Sequence, residues 1–212
     1  MTREDYIDAH IDAEPPALSA LYRATHLGRL YPRMCSGNAQ GRLLAMLVRM
    51  IRPGRILELG AFTGYSALAM AAAMPEGCTL DTVEIDSDYA DELAATLAAG
   101  ERGGDITLHI GDALELAPEL CRSGRPVDLV FIDANKRHYH LYYKALLPLL
   151  PSGAFIIADN TLWSDKILNA DSAGSDPQTA GIALFNDLVA ADDSVEKIII
   201  PLRDGLTIIR KK

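Results

Sequence analysis

The sequence predicts an α/β protein whose doubly wound sheet is mostly parallel and ends in an antiparallel hairpin. Short apolar segments alternate with helical segments through the middle of the chain, and strands that are apolar throughout are typical of a parallel sheet covered by helices on both faces. The turn Arg203-Asp204-Gly205 separates the last two strand-like segments, and Asp-Gly favours a hairpin. A helical segment at residues 1–52 precedes the sheet, and we expect residues 1–212 to form a single domain.

The individual elements follow from apolar periodicity and from the residues that end each segment. Helices are predicted at residues 5–12, 16–30 and 39–52, and the third has an apolar face between Leu43 and Ile51. Strands are predicted at 55–59, 79–84, 106–110, 127–132 and 154–158, with helices between them at 66–73, 89–99, 113–121 and 137–150. A polar stretch at 164–179 precedes a helix at 180–191 and two final strands at 195–201 and 206–210.

Composition and charge favour a soluble protein that binds a small molecule. Apolar residues make up 49% and charged residues 23% of the 212, which is ordinary for a globular protein. The net charge of −9 argues against a nucleic-acid groove, and no apolar run approaches the roughly 20 residues of a membrane-spanning helix. The start of the chain is polar and acidic, without a signal peptide. Three widely spaced cysteines, Cys35, Cys78 and Cys121, indicate reduced thiols in the cytoplasm rather than disulfides or a cysteine metal site.

A glycine turn follows the first predicted strand in the segment ELGAFTGYS, residues 58–66. Gly60 and Gly64 would let the backbone turn tightly and approach a ligand at the start of the next helix. Their spacing is neither that of a dinucleotide G-x-G-x-x-G turn nor that of a Walker phosphate loop. The carboxylate of Glu58 beside the turn would repel a pyrophosphate, whereas it would suit an ammonium or a sulfonium group.

Polar residues that follow the second and third strands complete a predicted nucleoside site. Glu84, 24 residues beyond Gly60, ends the second strand and can accept both hydroxyls of a ribose. Gly111-Asp112-Ala113 follows the third strand and suits the edge of an adenine ring. A nucleoside with a cationic tail in place of phosphates is S-adenosylmethionine, which is the ligand that we predict. The alternative is that each acid is only a solvated loop residue.

Two carboxylates and an amide follow the fourth and fifth strands, at the same expected edge of the sheet. Asp133 lies 26 residues before Asp159-Asn160, which is one strand–helix–strand unit. These hard oxygen ligands suit Mg²⁺, although Mn²⁺ or Ca²⁺ would accept the same donors. In the alternative interpretation Asp159-Asn160 caps a loop and Asp133 pairs locally with Lys136.

Lys136 lies about one helical turn beyond Asp133 and is predicted to be a general base. A nearby cation would disfavour its ammonium form and would acidify a chelated hydroxyl of a substrate. A lysine that removes the proton from this hydroxyl would prepare the oxygen to attack a sulfonium methyl group in line. The competing interpretation is that Lys136 only neutralises Asp133.

The motifs ELGAFTGYS, VEID, IGDAL, DLVFIDANK, ADNTLW and PLRDGLTIIRK together resemble the cation-dependent class I O-methyltransferases of the catechol and caffeoyl-CoA type, from about Met34 to Lys212. The resemblance implies a seven-stranded Rossmann-like sheet and a homodimer. It assigns Asp133, Asp159 and Asn160 to the metal, Lys136 to base catalysis with Asn160 beside it, and Trp163 with Lys136 to the acceptor pocket. It places the methyl donor against Met34, Glu58, Gly60, Tyr65, Ser66, Glu84, Asp112, Ala113 and Asp133.

The chain departs from this family at three places. Asn135 replaces an aspartate that many members carry, at a position that varies in the catechol branch. Asn38-Ala39-Gln40-Gly41 replaces an acidic Ala-Asp-Glu-Gly segment of the caffeoyl-CoA branch, which argues against a caffeoyl-CoA-like acceptor. The polar stretch at 164–179 has no counterpart that we can interpret.

The sequence therefore predicts cation-dependent methyl transfer from S-adenosylmethionine to one hydroxyl of a catechol-like, phenolic small molecule. One rival is an NAD-dependent oxidoreductase, which the missing dinucleotide motif disfavours. The other is a protein that binds an adenosyl ligand without catalysis. His138 and His140 are interpreted as surface residues, with the alternative that they line the pocket mouth or bind metal. The tyrosines of the segment KRHYHLYY are interpreted mostly as core, with the alternative that one of them reaches the acceptor.

Overall fold

The computed structural model describes residues 1–169 and 176–212, and seven strands of this part of the chain form one sheet. The strands are β1 (Arg55–Leu59), β2 (Thr79–Glu84), β3 (Ile106–Ile110), β4 (Leu129–Ile132), β5 (Phe155–Asp159), β6 (Val195–Ile200) and β7 (Leu206–Lys211). Their order is β3-β2-β1-β4-β5-β7-β6. Strands β1 to β5 pair in parallel, and β7 is antiparallel to both β5 and β6. The predicted Rossmann-like sheet with a closing hairpin is confirmed.

Helices cover both faces of the sheet. They are α1 (Arg3–His10), α2 (Pro16–Gly28), α3 (Asn38–Ile51), α4 (Tyr65–Ala71), α5 (Ala90–Ala98), α6 (Ala113–Arg122), α7 (Tyr139–Leu146) and α8 (Pro177–Ala191). A short 3₁₀ turn at Pro32–Met34 lies between α2 and α3, and another at Lys136–His138 leads into α7. None of the helices in the described ranges is long and apolar enough to cross a membrane.

The core has two layers because successive side chains of the central strands point to opposite faces. On one face Val130 of β4 packs with Tyr139 of α7 and Phe185 of α8. On the other face Phe131 packs with Val48 of α3 and Met70 of α4. Burial on both faces explains why the central strands carry no polar alternation in the sequence.

Several element boundaries differ from the predictions by a few residues, and three of these differences have identifiable local features. Helix α8 begins at Pro177, inside the stretch that was predicted to be polar loop, because the side chain of Asp176 accepts a hydrogen bond from the backbone of Gln178 (3.0 Å) and caps the helix. Strand β4 begins at Leu129, so Val127 is buried in the core without joining the ladder. Helix α1 begins at Arg3 after a Thr2 capping box. Residues 170–175 of the predicted polar stretch lie outside the described residues.

The strand order reverses direction between β1 and β4, and this reversal positions the functional site. Chain segments on either side of such a switch point leave the sheet in opposite directions, so that a crevice opens beyond the carboxyl ends of the strands. The loops after β1, β2, β3, β4 and β5 all meet at this edge. The site residues predicted at these strand ends are thereby brought to one side of the molecule.

Candidate active site

A cavity of about 990 Å³ lies beyond the carboxyl edge of the sheet. Its wall contains residues from the loops after each of the parallel strands β1 to β5. The N-terminal segment 30–34, the turn at Arg203-Asp204, and Tyr142 of α7 with Gln178 of α8 also contribute to the wall. This volume is in the range of pockets that enclose small-molecule ligands.

The glycine turn after β1 requires the absence of a side chain at Gly60. Its φ angle is +95°, and a Cβ atom there would lie 2.6 Å from the carbonyl oxygen of Asp133. The Gly60 backbone nitrogen donates to the Val83 carbonyl at 2.9 Å. Gly60 therefore lets the loops after β1 and β4 approach each other at the switch point, where both line the cavity.

Glu84 ties the loop after β1 to the end of β2. Its Oε2 accepts from the backbone nitrogen of Phe62 at 2.7 Å, and its Oε1 accepts from the backbone nitrogens of Ile85 and Asp86 at 2.9 and 3.0 Å. Glu84 also lines the cavity. A carboxylate has about four acceptor positions, so one remains for a ligand hydroxyl after these three hydrogen bonds.

Three residues predicted to contact the methyl donor lie behind the cavity wall instead. Glu58 is fully buried and accepts from the hydroxyls of Ser66 (2.6 Å) and Thr82 (2.5 Å). The hydroxyl of Tyr65 donates to Glu14 at 2.5 Å. None of Glu58, Tyr65 and Ser66 is part of the cavity lining. Their direct donor contact stays a prediction, and their positions favour a supporting role behind the glycine turn.

Two further residues that were predicted to contact the methyl donor line the cavity after β3. Asp112 caps α6 by accepting from the backbone nitrogen of Leu114 at 2.8 Å, and Ala113 follows it. Two apolar residues that sequence reasoning missed, Phe62 and Ile85, line the same region. Phe62 has a φ of +51°. Phenylalanine rarely adopts a positive φ, so its identity in the sequence does not predict this conformation.

Lys136 and Asp133 form an ion pair on the other side of the cavity. The Lys136 Nζ atom lies 2.5 Å from Asp133 Oδ1 and donates to the Tyr139 hydroxyl at 2.8 Å. Tyr139 in turn donates to the Ile132 carbonyl at 3.1 Å. Burial, followed by the neighbouring Asp133 and Asp159, raises the pKa of Tyr139 well above its usual value, so the hydroxyl keeps its proton. Tyr139, interpreted from sequence as core, thus also holds the lysine in place.

Asp159 ends β5 beside this pair, and Asn160 follows it. Asp159 Oδ1 accepts from the backbone nitrogen of Asn160 at 2.8 Å, and Oδ2 accepts from the Gln40 side chain at 2.6 Å. Asn160 adopts a left-handed conformation with a φ of +58°, which asparagine tolerates well, and lines the cavity with Asp159. The local contacts of the alternative interpretation, Asp133 with Lys136 and Asp159 with the Asn160 backbone, are both present.

The turn between β6 and β7 anchors the loop that carries Asn160 and Trp163. The backbone nitrogens of Leu162 and Trp163 donate to the Asp204 carbonyl at 2.7 and 3.3 Å. At Gly205 a Cβ atom would lie 2.9 Å from the backbone nitrogen of Leu162, so only glycine allows this approach. Trp163 lines the cavity, and its indole nitrogen donates to Asp176 at 3.4 Å.

The charges at the β4 and β5 ends leave Asp133 in a poor environment for an anion. Burial, together with the nearby carboxylate of Asp159, raises the pKa of Asp133 to about 6 against the lowering effect of Lys136. No cluster of three His, Cys, Asp or Glu side chains suitable for a metal occurs in the described residues. The predicted set contains two carboxylates and one amide, and such oxygen donors fit a hard divalent cation whose charge would relieve this repulsion.

Other residues of the cavity wall include Met34, which was predicted to contact the methyl donor, and two residues that were interpreted mainly as surface or core. Met34 is 56% exposed and lines the cavity mouth with Arg33. His138, interpreted as a surface residue, and Tyr142, interpreted as core, both contribute to the wall. His138 precedes α7 and packs edge-on against Tyr142, with 6.2 Å between ring centroids. No local sequence pattern distinguishes a histidine of a cavity wall from a surface histidine on the same turn.

Sequence comparisons identify the family of the chain. The O-methyltransferase family model matches residues 8–212. A catechol O-methyltransferase from Niastella koreensis is 32% identical over 164 residues, which are 77% of this chain and 73% of the relative. Caffeoyl-CoA O-methyltransferase 2 from Zea mays is 34% identical over 189 residues, which are 84% of this chain and 70% of the relative.

Solved structures agree with the sequence comparisons. The O-methyltransferase TomG from Streptomyces achromogenes, in complex with SAM, has a TM-score of 0.90 at 30% identity and matches over 100% of both chains. An O-methyltransferase from Bacillus cereus in complex with SAH has a TM-score of 0.89 at 25% identity, over 98% of this chain and 96% of that one. The match over nearly all residues excludes the predicted oxidoreductase rival, and the chain belongs to the O-methyltransferase family.

Proposed function

We propose that this protein transfers a methyl group from S-adenosylmethionine to one hydroxyl of a catechol-like aromatic molecule and that a divalent cation is required. The observation that carries the proposal is the convergence of two residue sets on one cavity. Gly60, Glu84 and Asp112 line its donor side, and Lys136 lies with the oxygen-rich ends of β4 and β5 on the other side. The relative named catechol O-methyltransferase supports the same acceptor class.

The donor half of the proposal is supported by the chemistry of the wall and by two relatives. Glu84 retains an acceptor position for a ribose hydroxyl, and the Asp112 side chain lies beside the expected adenine position. The wall offers no phosphate loop, and its acids disfavour a pyrophosphate. TomG was solved with SAM and the Bacillus cereus enzyme with SAH.

The cation half of the proposal is supported by the donor set. Asp133, Asp159 and Asn160 would hold the ion, and Mg²⁺ is our first candidate, with Mn²⁺ or Ca²⁺ able to take the same ligands. Once bound, a divalent cation supplies Lewis-acid charge that lowers the pKa of an acceptor hydroxyl. Two adjacent hydroxyls on the ring can approach the same ion, which favours a vicinal diol over an isolated phenol.

Lys136 would act as the general base. With a divalent cation held beside it, Lys136 would enter the step as the neutral amine, because the cation disfavours the ammonium form. Its Nζ atom would then accept the proton of the acceptor hydroxyl and become the ammonium, and the resulting oxygen nucleophile would attack the methyl carbon of the sulfonium. The O–CH₃ bond forms as the S–CH₃ bond breaks, and the sulfur leaves as a neutral thioether with the electron pair of that bond. Asp133 and Tyr139 hold the Lys136 side chain in one rotamer, so little conformational entropy is lost when Nζ approaches the hydroxyl.

Acceptor geometry provides the test of the proposed function. Methyl transfer from labelled S-adenosylmethionine would be measured with catechol, with resorcinol (the 1,3-diol) and with phenol, while calorimetry measures donor binding. We expect transfer to catechol and little transfer to the other two. Equal rates with all three would contradict the vicinal-diol requirement. Donor binding without transfer to any of them would favour the rival in which the protein only binds an adenosyl ligand.

We also propose that the chain forms a homodimer. The support is the family resemblance together with the large apolar side chains that the N-terminal segment exposes, such as Leu27 (83%), Leu30 (83%) and Met50 (75%). Burying such side chains between two copies would be favourable. Light scattering coupled to size-exclusion chromatography should give about twice the chain mass of 22.9 kDa. A mass of one chain at micromolar concentration would contradict the dimer.

A further inference from the structure

Gln40 has a buried side-chain amide that connects the predicted metal ligand Asp159 to the guanidinium of Arg203. The Gln40 side chain, in the first turn of α3, is 1% exposed. Its Nε2 donates to Asp159 Oδ2 at 2.6 Å, and its Oε1 accepts from an Arg203 guanidinium nitrogen at 3.1 Å. These three residues come from α3, the end of β5 and the turn before β7, so only the folded chain brings them together.

Arg203 determines which end of the Gln40 amide faces Asp159. A guanidinium has donors only, so the amide oxygen must face Arg203 and the amide NH₂ group must face the carboxylate. Asp159 is 5% exposed and receives its second hydrogen bond from the Asn160 backbone. Both carboxylate oxygens are thereby held in one rotamer, and each retains an acceptor position.

The same arginine also holds the segment at the cavity mouth. Its guanidinium donates to the carbonyl oxygens of Arg33 (3.3 Å), Cys35 (3.1 Å) and Ser36. Met34 lies within this segment and lines the cavity. Arg203 therefore holds both the segment of the wall that contains Met34 and, through Gln40, the Asp159 carboxylate.

We propose that Gln40, held by Arg203, is a positioning residue that fixes the Asp159 carboxylate in the orientation that binds the divalent cation. The inference rests on the proposed function, because it requires that Asp159 binds a cation. Partners that orient a metal-binding carboxylate commonly change metal affinity when they are removed. Gln40 donates to Asp159 and does not line the cavity, so it touches neither the methyl donor nor the acceptor.

The decisive variant is Gln40→Met, which keeps nearly the same side-chain length and removes both hydrogen-bonding groups. Calorimetric titration with Mn²⁺ should give an affinity roughly 10- to 100-fold below that of the wild type. The affinity for S-adenosylmethionine should be unchanged, because the donor side of the cavity is not altered, and this titration also reports that the variant is folded. Arg203→Lys keeps the positive charge but loses the fork geometry and should weaken Mn²⁺ binding less. Adding Arg203→Lys to Gln40→Met should not lower the Mn²⁺ affinity further, because Arg203 acts on Asp159 through the hydrogen bonds of Gln40.

Arg210→Lys is the matched control on the same hairpin. Arg210 forms an ion pair with exposed Glu196 at 3.0 Å, away from the cavity. The Mn²⁺ affinity of the Arg210→Lys variant should therefore equal that of the wild type. Wild-type Mn²⁺ binding that is retained by Gln40→Met overturns this inference alone. A wild-type protein that does not bind Mn²⁺ overturns the cation requirement of the proposed function and this inference with it. If Gln40→Met also loses the methyl donor through misfolding, Arg203→Lys decides instead, and an unchanged affinity in that variant overturns the proposal.

Discussion

At the scale of single residues, Lys136 is the group whose position most constrains the chemistry. It is 9% exposed, and its ammonium is bonded to Asp133 and to Tyr139. If Lys136 is the general base, Lys136→Met should lower turnover by roughly 10²- to 10⁴-fold. Donor affinity, measured by calorimetry, should stay close to that of the wild type. Lys144→Met, an exposed lysine on α7, serves as the control. Turnover of Lys136→Met at the wild-type rate would leave Lys136 only the role of neutralising Asp133.

Glu58 predicts a measurable pH dependence of stability. Burial raises its pKa from 4.5 to about 7, although the Ser66 and Thr82 hydroxyls oppose the shift. Between these two pH values the folded protein binds more protons at Glu58 than the unfolded chain, so its contribution to stability is present at low pH and is lost as the pH rises through 7.

Glu58→Gln removes this titration and keeps a partner for both hydroxyls. The variant should match the wild type in free energy of unfolding near pH 4.5 and exceed it at pH 8, by an amount on the order of 3 kcal/mol. Urea denaturation of both proteins across this range measures the difference. A difference that does not change with pH would contradict the raised pKa.

The donor residues mark how far single positions could be predicted. Glu84 and Asp112 line the cavity because they follow strand ends, which the sequence pattern locates. Glu58 lies within a strand that is buried on both faces, and such a strand has no polar alternation to indicate which way a side chain points. Phe62 reaches the cavity through a positive φ, a backbone choice that no propensity of phenylalanine predicts.

At the scale of elements, the glycine turn after β1 is the most sensitive connection. In Gly60→Ala the new Cβ atom would meet the backbone of Asp133, and a positive φ adds strain. We expect destabilisation on the order of 3 kcal/mol, with loss of donor binding as the β1 and β4 loops separate. Thermal unfolding and donor titration measure the two effects.

Gly77 offers the matched control for this substitution. Its φ is +74°, but apart from its own residue and its two chain neighbours no atom of the described residues lies within 4 Å of the position where a Cβ would be placed. Gly77→Ala should therefore show only the backbone cost of about 1 kcal/mol and normal donor binding. Equal effects of the two substitutions would mean that close approach at Gly60 is not what organises the site.

The hairpin turn illustrates which element-scale features lie beyond sequence reasoning. The Asp-Gly pair correctly predicted the turn between β6 and β7. In the site, the Asp204 carbonyl of this turn accepts hydrogen bonds from the loop that carries Trp163, and Arg203 donates to Gln40. Both contacts join segments that are far apart in the chain. Local patterns report how a segment folds, and they carry no information about which distant segment it will meet.

At the scale of the whole molecule, the parallel sheet explains why the sequence located most of the site. In a parallel sheet every strand presents its carboxyl end at one edge, so polar residues after successive strands must gather there. This rule predicts that four acidic residues lie close together, and all four line the cavity: Glu84, Asp112, Asp133 and Asp159. The N-terminal segment could not be placed in this way, because helices outside the βα alternation have no fixed position relative to the edge.

In the proposed function, methyl transfer depends on a divalent cation held at the β4 and β5 ends. The most direct measurement is transfer of a labelled methyl group from S-adenosylmethionine to catechol in Mg²⁺ and again in excess EDTA, with Mg²⁺ then restored. Transfer should disappear on chelation and return with the ion. Transfer that continues at the same rate in EDTA would contradict the roles proposed for Asp133, Asp159 and Asn160.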